Sequence, residues 1–192
     1  MNPLQLVHIL RKGTTYSGAE PETMAILRDA VPRAGTRSLS AAVDIQAGAE
    51  AAFSLLCAVE KWPVWLSFLR SAELVDPATP LGPGSEIRVR SAVPGDPHQL
   101  FEVDYFITNY QLSLVGAYSV RRRLDFRLER KTSRCKLHLR LEYPAYGGRL
   151  AMLYDSLRAG RKLATQMEES VVHFKHLAEY RADAKDELLA DF

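Results

Sequence analysis

A chain of 192 residues is long enough to bury one substantial core, and it contains no linker-like segment that would separate a second folded domain. Its 47% hydrophobic and 25% charged residues are ordinary for a soluble globular protein, and a formal net charge of +2 gives no general reason to expect DNA as a partner. No segment reaches the roughly 20 apolar residues that span a bilayer, and no signal-peptide cleavage site follows the apolar stretch at Leu4. These features predict a cytoplasmic protein with one main domain.

Residues 1–36 are predicted to form a helical N-terminal extension. A short apolar helix ends at Gly13, and a second helix runs from Pro21 to Val31, because proline suits a first helical turn and Pro32 stops its continuation. We expect this extension to pack on the main domain or on a second subunit of an oligomer.

The main domain is predicted to span residues 37–182. It opens with a strand from Ser38 to Gln46, in which apolar residues alternate with smaller or polar ones. A helix follows from about Gly48 to Val59. The pair Trp62-Pro63 then interrupts helical geometry, since a residue before proline is driven out of it, and Pro63 begins a second short helix through Leu69.

Six further strands are predicted after the two short helices, and the last four are joined by very short connections, which imply antiparallel neighbours. Their predicted bounds are Ala72 to Val75, Ser85 to Val93, Leu100 to Thr108, Leu112 to Tyr118, Val120 to Arg130 and Ser133 to Tyr143.

Apolar and charged residues alternate from Leu100 to Tyr143, so alternate side chains are predicted to point to opposite faces of the sheet. The apolar set shares a buried face and the charged set meets water. The apolar set is Phe101, Val103, Tyr105, Leu124, Phe126, Leu128, Leu137, Leu139 and Leu141. The charged set includes Glu102, Asp104, Asp125, Arg127, Glu129, Lys136, His138, Arg140 and Glu142.

A long amphipathic helix is predicted after Gly148, ending near Arg181, with a polar tail over residues 183–192. Its apolar residues recur at steps of three and four and form one stripe that faces the sheet. Gly160 and Ala164 leave the stripe thin in the middle, where a ligand could fit. The stripe consists of Leu150, Leu153, Leu157, Gly160, Ala164, Met167, Val171, Phe174 and Ala178.

This order of elements resembles the START-like (SRPBCC) helix-grip superfamily, in particular its bacterial polyketide cyclase/dehydrase-like branch. The segments that carry the resemblance are Val59-Glu60-Lys61-Trp62-Pro63-Val64-Trp65-Leu66, Ala72-Glu73-Leu74-Val75, Phe126-Arg127-Leu128-Glu129, and Leu141-Glu142-Tyr143 leading into Gly147-Gly148-Arg149-Leu150. The resemblance implies an α+β fold in which a curved antiparallel sheet of seven strands wraps around a long C-terminal helix. It also implies a cavity for hydrophobic small molecules, and the superfamily includes both carriers and catalysts.

Few groups that could transfer protons fall on the apolar face, which favours ligand binding over acid-base catalysis. The candidate catalytic residues are Arg122, whose guanidinium could meet a carboxylate or enolate, and Tyr105, whose hydroxyl could orient a ligand atom. Each has a structural alternative. Arg122 could lie where the strand has left the core or be turned outward by a bulge, and Tyr105 could be a core residue. The predicted ligand-binding set is Trp62, Trp65, Phe68, Val89, Val103, Tyr105, Leu114, Arg122, Phe126, Leu139, Leu153 and Leu157.

Three of these residues, Trp62, Trp65 and Phe68, could form an aromatic lip over a flat ligand. The alternative is that they only anchor the short helices. The leading hypothesis is therefore a non-catalytic binder or carrier of a lipid, quinone or polycyclic aromatic molecule. An aromatic polyketide cyclase or dehydratase is the second hypothesis.

A third hypothesis is an interaction module that docks through a basic hairpin. Between Arg121 and Arg140 nine Lys or Arg residues stand against two acids, Asp125 and Glu129. Such a patch could contact an anionic membrane surface, an acidic partner or RNA, or it could be a solvated outer face balanced by nearby acids.

Neither a metal nor a cofactor is expected. Cys57 and Cys135 form no zinc motif and no disulfide framework, and are predicted to be small buried side chains. His173 and His176 are three residues apart on the long helix, without a third ligand at compatible spacing.

Overall fold

Seven antiparallel strands form one curved sheet in the order β1-β7-β6-β5-β4-β3-β2. The computed structural model describes residues 36–92, 98–117, 119–144 and 160–190, and side chains are described for these ranges except at 119–121, 144 and 185–190. The described residues all belong to one compact unit. Residues 1–35 of the predicted N-terminal extension lie outside them, as do Leu153 and Leu157 of the predicted ligand-binding set, while Thr36 begins the first strand.

The strands lie close to their predicted positions. They are β1 Thr36–Ile45, β2 Leu69–Leu74, β3 Glu86–Ser91, β4 Gln99–Ile107, β5 Gln111–Gly116, β6 Ser119–Lys131 and β7 Arg134–Pro144. Every neighbouring pair in the sheet is antiparallel. The predicted helix-grip class, with seven strands and a long C-terminal helix, is confirmed.

Two short helices follow β1, as predicted. Helix α1 spans Ala49–Cys57, and helix α2 spans Trp62–Trp65 after a single 3-10 turn at Val59–Lys61. The prediction that the second helix continues to Leu69 is wrong, because Leu66 leaves helical geometry with ψ 89° and β2 begins at Leu69.

The long C-terminal helix, α3, covers Gly160–Ala190 in the described part of the chain. Its Met167, Val171, Phe174 and Ala178 are at most 3% exposed, which confirms the predicted apolar stripe over this stretch. The helix extends past the predicted end at Arg181 and into the segment predicted as a polar tail. No helix in the described ranges is long and apolar enough to cross a membrane.

Polar contacts join α3 to the end of β1. The backbone N–H of Gln46 donates to the Glu179 carboxylate at 2.6 Å, and the Lys175 ammonium donates to the Asp44 carbonyl oxygen at 3.0 Å. Lys175 also pairs with Glu179 at 2.6 Å. Together these contacts hold one end of the helix against the first strand.

Candidate ligand-binding site

The face of the sheet that meets the helices is apolar along its described rows, as the alternation predicts. Cross-strand pairing places Leu124 opposite both Leu114 and Leu141, and Phe126 opposite both Leu112 and Leu139. The fully or almost fully buried members of this inner face include Ile87, Val89, Phe101, Val103, Leu112, Leu114, Leu124, Phe126, Leu128, Leu137 and Leu139.

Four aromatic rings pack together between the sheet and the helices. Trp65 lies 4.7 Å from the ring of Phe174 on α3 and 5.8 Å from the ring of Phe126 on β6, measured between centroids. The ring of Trp62 also contacts Phe126, at 5.4 Å between centroids. All four side chains have 0% exposure, so the centre of the interface between the sheet and the helices is a packed aromatic cluster.

This burial decides between the two interpretations of the tryptophans. Trp62 and Trp65 have no surface to offer as a lip, and their packing fits the alternative in which they anchor the short helices. The Trp62 indole N–H also donates to the carbonyl oxygen of Leu56 at 2.8 Å, which ties α2 to α1. Phe68 is half-buried at the edge of the same core.

A β-bulge in β4 reverses the prediction for Tyr105. Val103 pairs with Leu114 but Tyr105 pairs with Ser113, so Asp104 is an extra residue in β4. Tyr105 consequently lies on the outer face, and the prediction that it shares the apolar inner face is wrong.

Phe106 takes the inward position that the bulge removes from Tyr105. It pairs with Leu112 and meets Phe53 of α1 edge to face at 5.3 Å between ring centroids. Phe106 is absent from the ligand-binding set predicted from the sequence. The signal that could have found it is the consecutive run Tyr105-Phe106-Ile107, which breaks strict alternation.

Arg122 lies at a second irregularity. The β5–β6 register passes from Val115 opposite Arg123 directly to Gly116 opposite Ser119, so residues 120–122 face no residue of β5. Strict alternation therefore does not extend to Arg122, whose side chain is half-buried and engaged in polar or ionic interaction. Its predicted role as a ligand contact stays a prediction.

The inner-facing apolar side chains that keep some exposure mark where a ligand could reach the core. Leu39 and Leu141 are opposite one another on β1 and β7, and both are half-buried. Their row adjoins the row of Phe126 and Leu139, about 7 Å away along the strands. Phe68 and Phe106 are the aromatic members of this half-buried set.

A pair of serines is the polar exception in the interior. Ser170 of α3 is 0% exposed and accepts a hydrogen bond from the backbone N–H of Ser67 at 3.1 Å. Both hydroxyls donate to the carbonyl oxygen of Gln166, at 2.6 Å from Ser170 and 3.1 Å from Ser67. These bonds fasten the turn after α2 to the long helix.

The outer face carries a compact ionic network centred on Arg123. This side chain is 8% exposed and contacts Asp104 at 2.5 Å and Asp125 at 3.6 Å. On the neighbouring strand Arg140 pairs with Glu142 at 2.7 Å, and Glu142 is opposite Arg123 in the ladder. The charged side chains that the sequence predicts to face water therefore pair with one another on the outer face and are partly buried by this pairing.

Ion pairs of this kind neutralise much of the positive charge of the predicted basic hairpin. Lys131 binds Asp44 at 2.8 Å, and that hydrogen bond holds the pKa of the Asp44 carboxyl below its ordinary value. Arg122 and Arg127 also have interaction partners. The exposed cations at the tip of the β6–β7 hairpin include Arg130 and Arg134.

The thiols are placed for packing rather than for reactivity. Cys135 is fully buried, and burial raises its pKa to about 11. Burial also raises the pKa of Cys57, which is half-buried. Because the thiolate is the reactive form, both side chains are poor nucleophiles. Within the described ranges no three His, Cys, Asp or Glu side chains converge as a metal site.

No protein-family model matches the chain, and no curated protein matches it. Several solved structures, however, match the chain. TTHA0849 from Thermus thermophilus is 17% identical with a TM-score of 0.62, covering 76% of this chain and 99% of that one.

Two further structures extend the likeness. The ZhuI aromatase/cyclase from Streptomyces sp. R1128 is 15% identical with a TM-score of 0.51, covering 77% of this chain and 94% of that one. A START superfamily protein from Mycobacterium smegmatis is 17% identical with a TM-score of 0.51, covering 77% of this chain and 97% of that one. The strand order, the two short helices and these matches together show that the chain has the START-like helix-grip fold.

Proposed function

We propose that this protein binds or carries a hydrophobic small molecule of the lipid, quinone or polycyclic aromatic type between its sheet and α3. The observation that carries the proposal is the segregation of side chains. The described inner rows of the central strands are aliphatic or aromatic, while the ionic network around Arg123 occupies the outer face. Contact with the apolar inner face stabilises the binding of an apolar ligand, and this binding requires no buried charge.

The ligand is proposed to reach the core at the half-buried residues Leu39, Leu141, Phe68 and Phe106. The aromatic cluster is closed, so a ligand must either lie beside it or displace part of it. In the second case Trp65 or Phe174 moves, and binding is slower than simple diffusion into an open cleft.

Native mass spectrometry of gently purified full-length protein tests the proposal. We expect a retained small molecule of a few hundred daltons, and titration with a quinone or polycyclic compound is expected to quench the fluorescence of Trp62 and Trp65. No retained molecule, together with unchanged fluorescence across lipids, quinones and polycyclic compounds, would contradict the proposal.

The competing proposal is an aromatic polyketide cyclase or dehydratase. The fold likeness to an aromatase/cyclase supports it only at the level of architecture. The bulge in β4 and the irregular β5–β6 register weaken the case for its two candidate residues, since Tyr105 lies outward and Arg122 lies where alternation fails. Turnover of a polyketide-like substrate that falls strongly in Arg122→Ala would favour the enzyme over the carrier.

Contacts with larger partners form a separate, weaker proposal. Arg130 and Arg134 at the hairpin tip could touch an anionic membrane, while residues 1–36 could support an oligomer in the cytoplasm. Because exposed charges are screened, vesicle binding of this kind must weaken between low and physiological salt. Binding that is independent of salt, or unchanged in Arg130→Gln/Arg134→Gln, would contradict docking through the tip.

A further inference from the structure

The two tryptophans of α2 differ in one respect that ring packing does not explain. Both are 0% exposed, and the Trp62 indole N–H donates to the Leu56 carbonyl oxygen. The Trp65 Nε1 atom is equally buried but has no hydrogen-bond acceptor among the described residues. A buried N–H without an acceptor destabilises a fold, since it has lost its bond to water and gained none.

The indole ring that carries this N–H lies between the sheet and α3. Trp65 lies between Phe126 of the sheet and Phe174 of α3, whereas Trp62 is turned toward α1. The interior serines Ser67 and Ser170 already bond to one another and to the Gln166 carbonyl. Trp65 thus keeps a buried indole N–H that has no acceptor among the described residues.

We propose that Trp65 Nε1–H is the polar contact for the bound ligand, and that the ligand is a neutral, mostly apolar molecule bearing an oxygen acceptor such as a ketone, quinone or ester carbonyl. The inference rests on the proposed binding function and specifies its ligand class. An indole N–H carries no net charge, and the two rings shown to pack on the Trp65 indole are uncharged. A neutral carbonyl can be buried with one hydrogen bond, whereas a carboxylate would need a cation as well.

Access to the nitrogen requires a movement. The atom is out of reach of surface water, so an acceptor reaches it only when a neighbouring ring shifts. The half-buried pair Leu39 and Leu141 lies one inner row from Phe126, which gives the ligand a route to the cluster. The alternative is that an aromatic face of Phe174 or Phe126 satisfies the N–H weakly, in which case a ligand carbonyl would bring no advantage.

Fluorenone and fluorene form a matched probe pair, because they share a ring frame and differ by a carbonyl in place of a methylene. Equilibrium dialysis against the full chain is expected to give about tenfold tighter binding of fluorenone. In Trp65→Phe this preference is expected to disappear while fluorene still binds. Trp62→Phe is the control, since its N–H already has an acceptor, and the preference is expected to persist in it.

A second measurement does not depend on the variants folding. The chain has two tryptophans, so a 15N-labelled sample shows two indole N–H signals, and fluorenone but not fluorene is expected to shift the Trp65 signal downfield. Binding of neither compound would contradict the proposed binding of polycyclic molecules and this inference with it. Equal affinities, a preference that survives Trp65→Phe, or an indole signal that ignores fluorenone would overturn the inference alone.

Discussion

Phe106 and Tyr105 are adjacent in β4, yet they lie on opposite faces of the sheet because Asp104 is inserted into the ladder. One extra residue reverses the face of every side chain that follows it in the strand. The alternation from Phe101 to Val103 was therefore predictable from sequence, and the continuation to Tyr105 was not. A bulge depends on pairing with β5, which a pattern within β4 does not contain.

Alanine substitutions at these two positions test the bulge. Phe106→Ala removes a ring that packs on Phe53, and we expect a loss of about 2–3 kcal/mol of unfolding free energy, somewhat below the value for a fully buried ring. Tyr105→Ala is expected to cost about 1 kcal/mol or less. Urea denaturation measures both, and a larger loss for Tyr105→Ala would contradict the assigned faces.

At the scale of elements, the serine pair and the Glu179 contacts attach α2 and β1 to the long helix. The helices and strands themselves were predictable, because periodicity, the Trp62-Pro63 break and short turns are local signals. The attachments were not. Ser67 and Ser170 are 103 residues apart in sequence, and neither stands out from other serines.

Ser170→Ala tests the attachment of α2. The substitution leaves the Ser67 N–H without its acceptor at a half-buried position, so we expect a loss of about 1–2 kcal/mol in unfolding free energy. Ser54→Ala on the exposed side of α1 is the matched control and is expected to change little. Equal effects of the two substitutions would show that the serine pair adds nothing.

The contact between Glu179 of α3 and the end of β1 makes the stability of the fold depend on pH. Burial raises the pKa of its carboxyl, but hydrogen bonds from Lys175 and the Gln46 N–H outweigh this, and the pKa lies below its ordinary value. A carboxyl with a lowered folded-state pKa stabilises the fold above its unfolded pKa of about 4.3, and this contribution is lost as pH falls through the folded value.

Urea unfolding between pH 6 and pH 3 checks this sign. We expect Glu179→Gln to lose less stability than the wild type as the pH falls, because its side chain cannot take up a proton. Glu168→Gln removes the same charge from an exposed position of α3 and serves as the control. An unchanged slope in Glu179→Gln would refute the assigned role.

At the scale of the whole molecule, the sheet separates an apolar inner face from an ionic outer face. This separation was predictable, since it follows from side-chain alternation over four strands. The burial of the outer charges was not, because it depends on which cation meets which anion across strands. Arg123 and Asp104 meet in this way across the width of β5, although they are 19 positions apart in sequence.

Arg123→Leu tests how much the outer network matters. Removing the guanidinium takes away a buried cation that contacts the Asp104 and Asp125 carboxylates, and we expect a loss of about 3 kcal/mol. Arg130→Gln at the exposed hairpin tip is the comparison and is expected to be nearly neutral. Thermal unfolding followed by circular dichroism separates the two, and a neutral Arg123→Leu would contradict the proposed weight of the network.

The pairing of β1 with β7 also governs how the chain acquires its shape. The two strands are on the order of 100 residues apart, and β1 has no other partner in the described sheet. At a synthesis rate of about 5–20 residues per second, β1 leaves the ribosome about 5–20 s before β7 exists. During that wait the apolar side chains of β1 are exposed and can contact other nascent chains. We therefore expect this topology to fold slowly and to give a yield that depends on expression temperature.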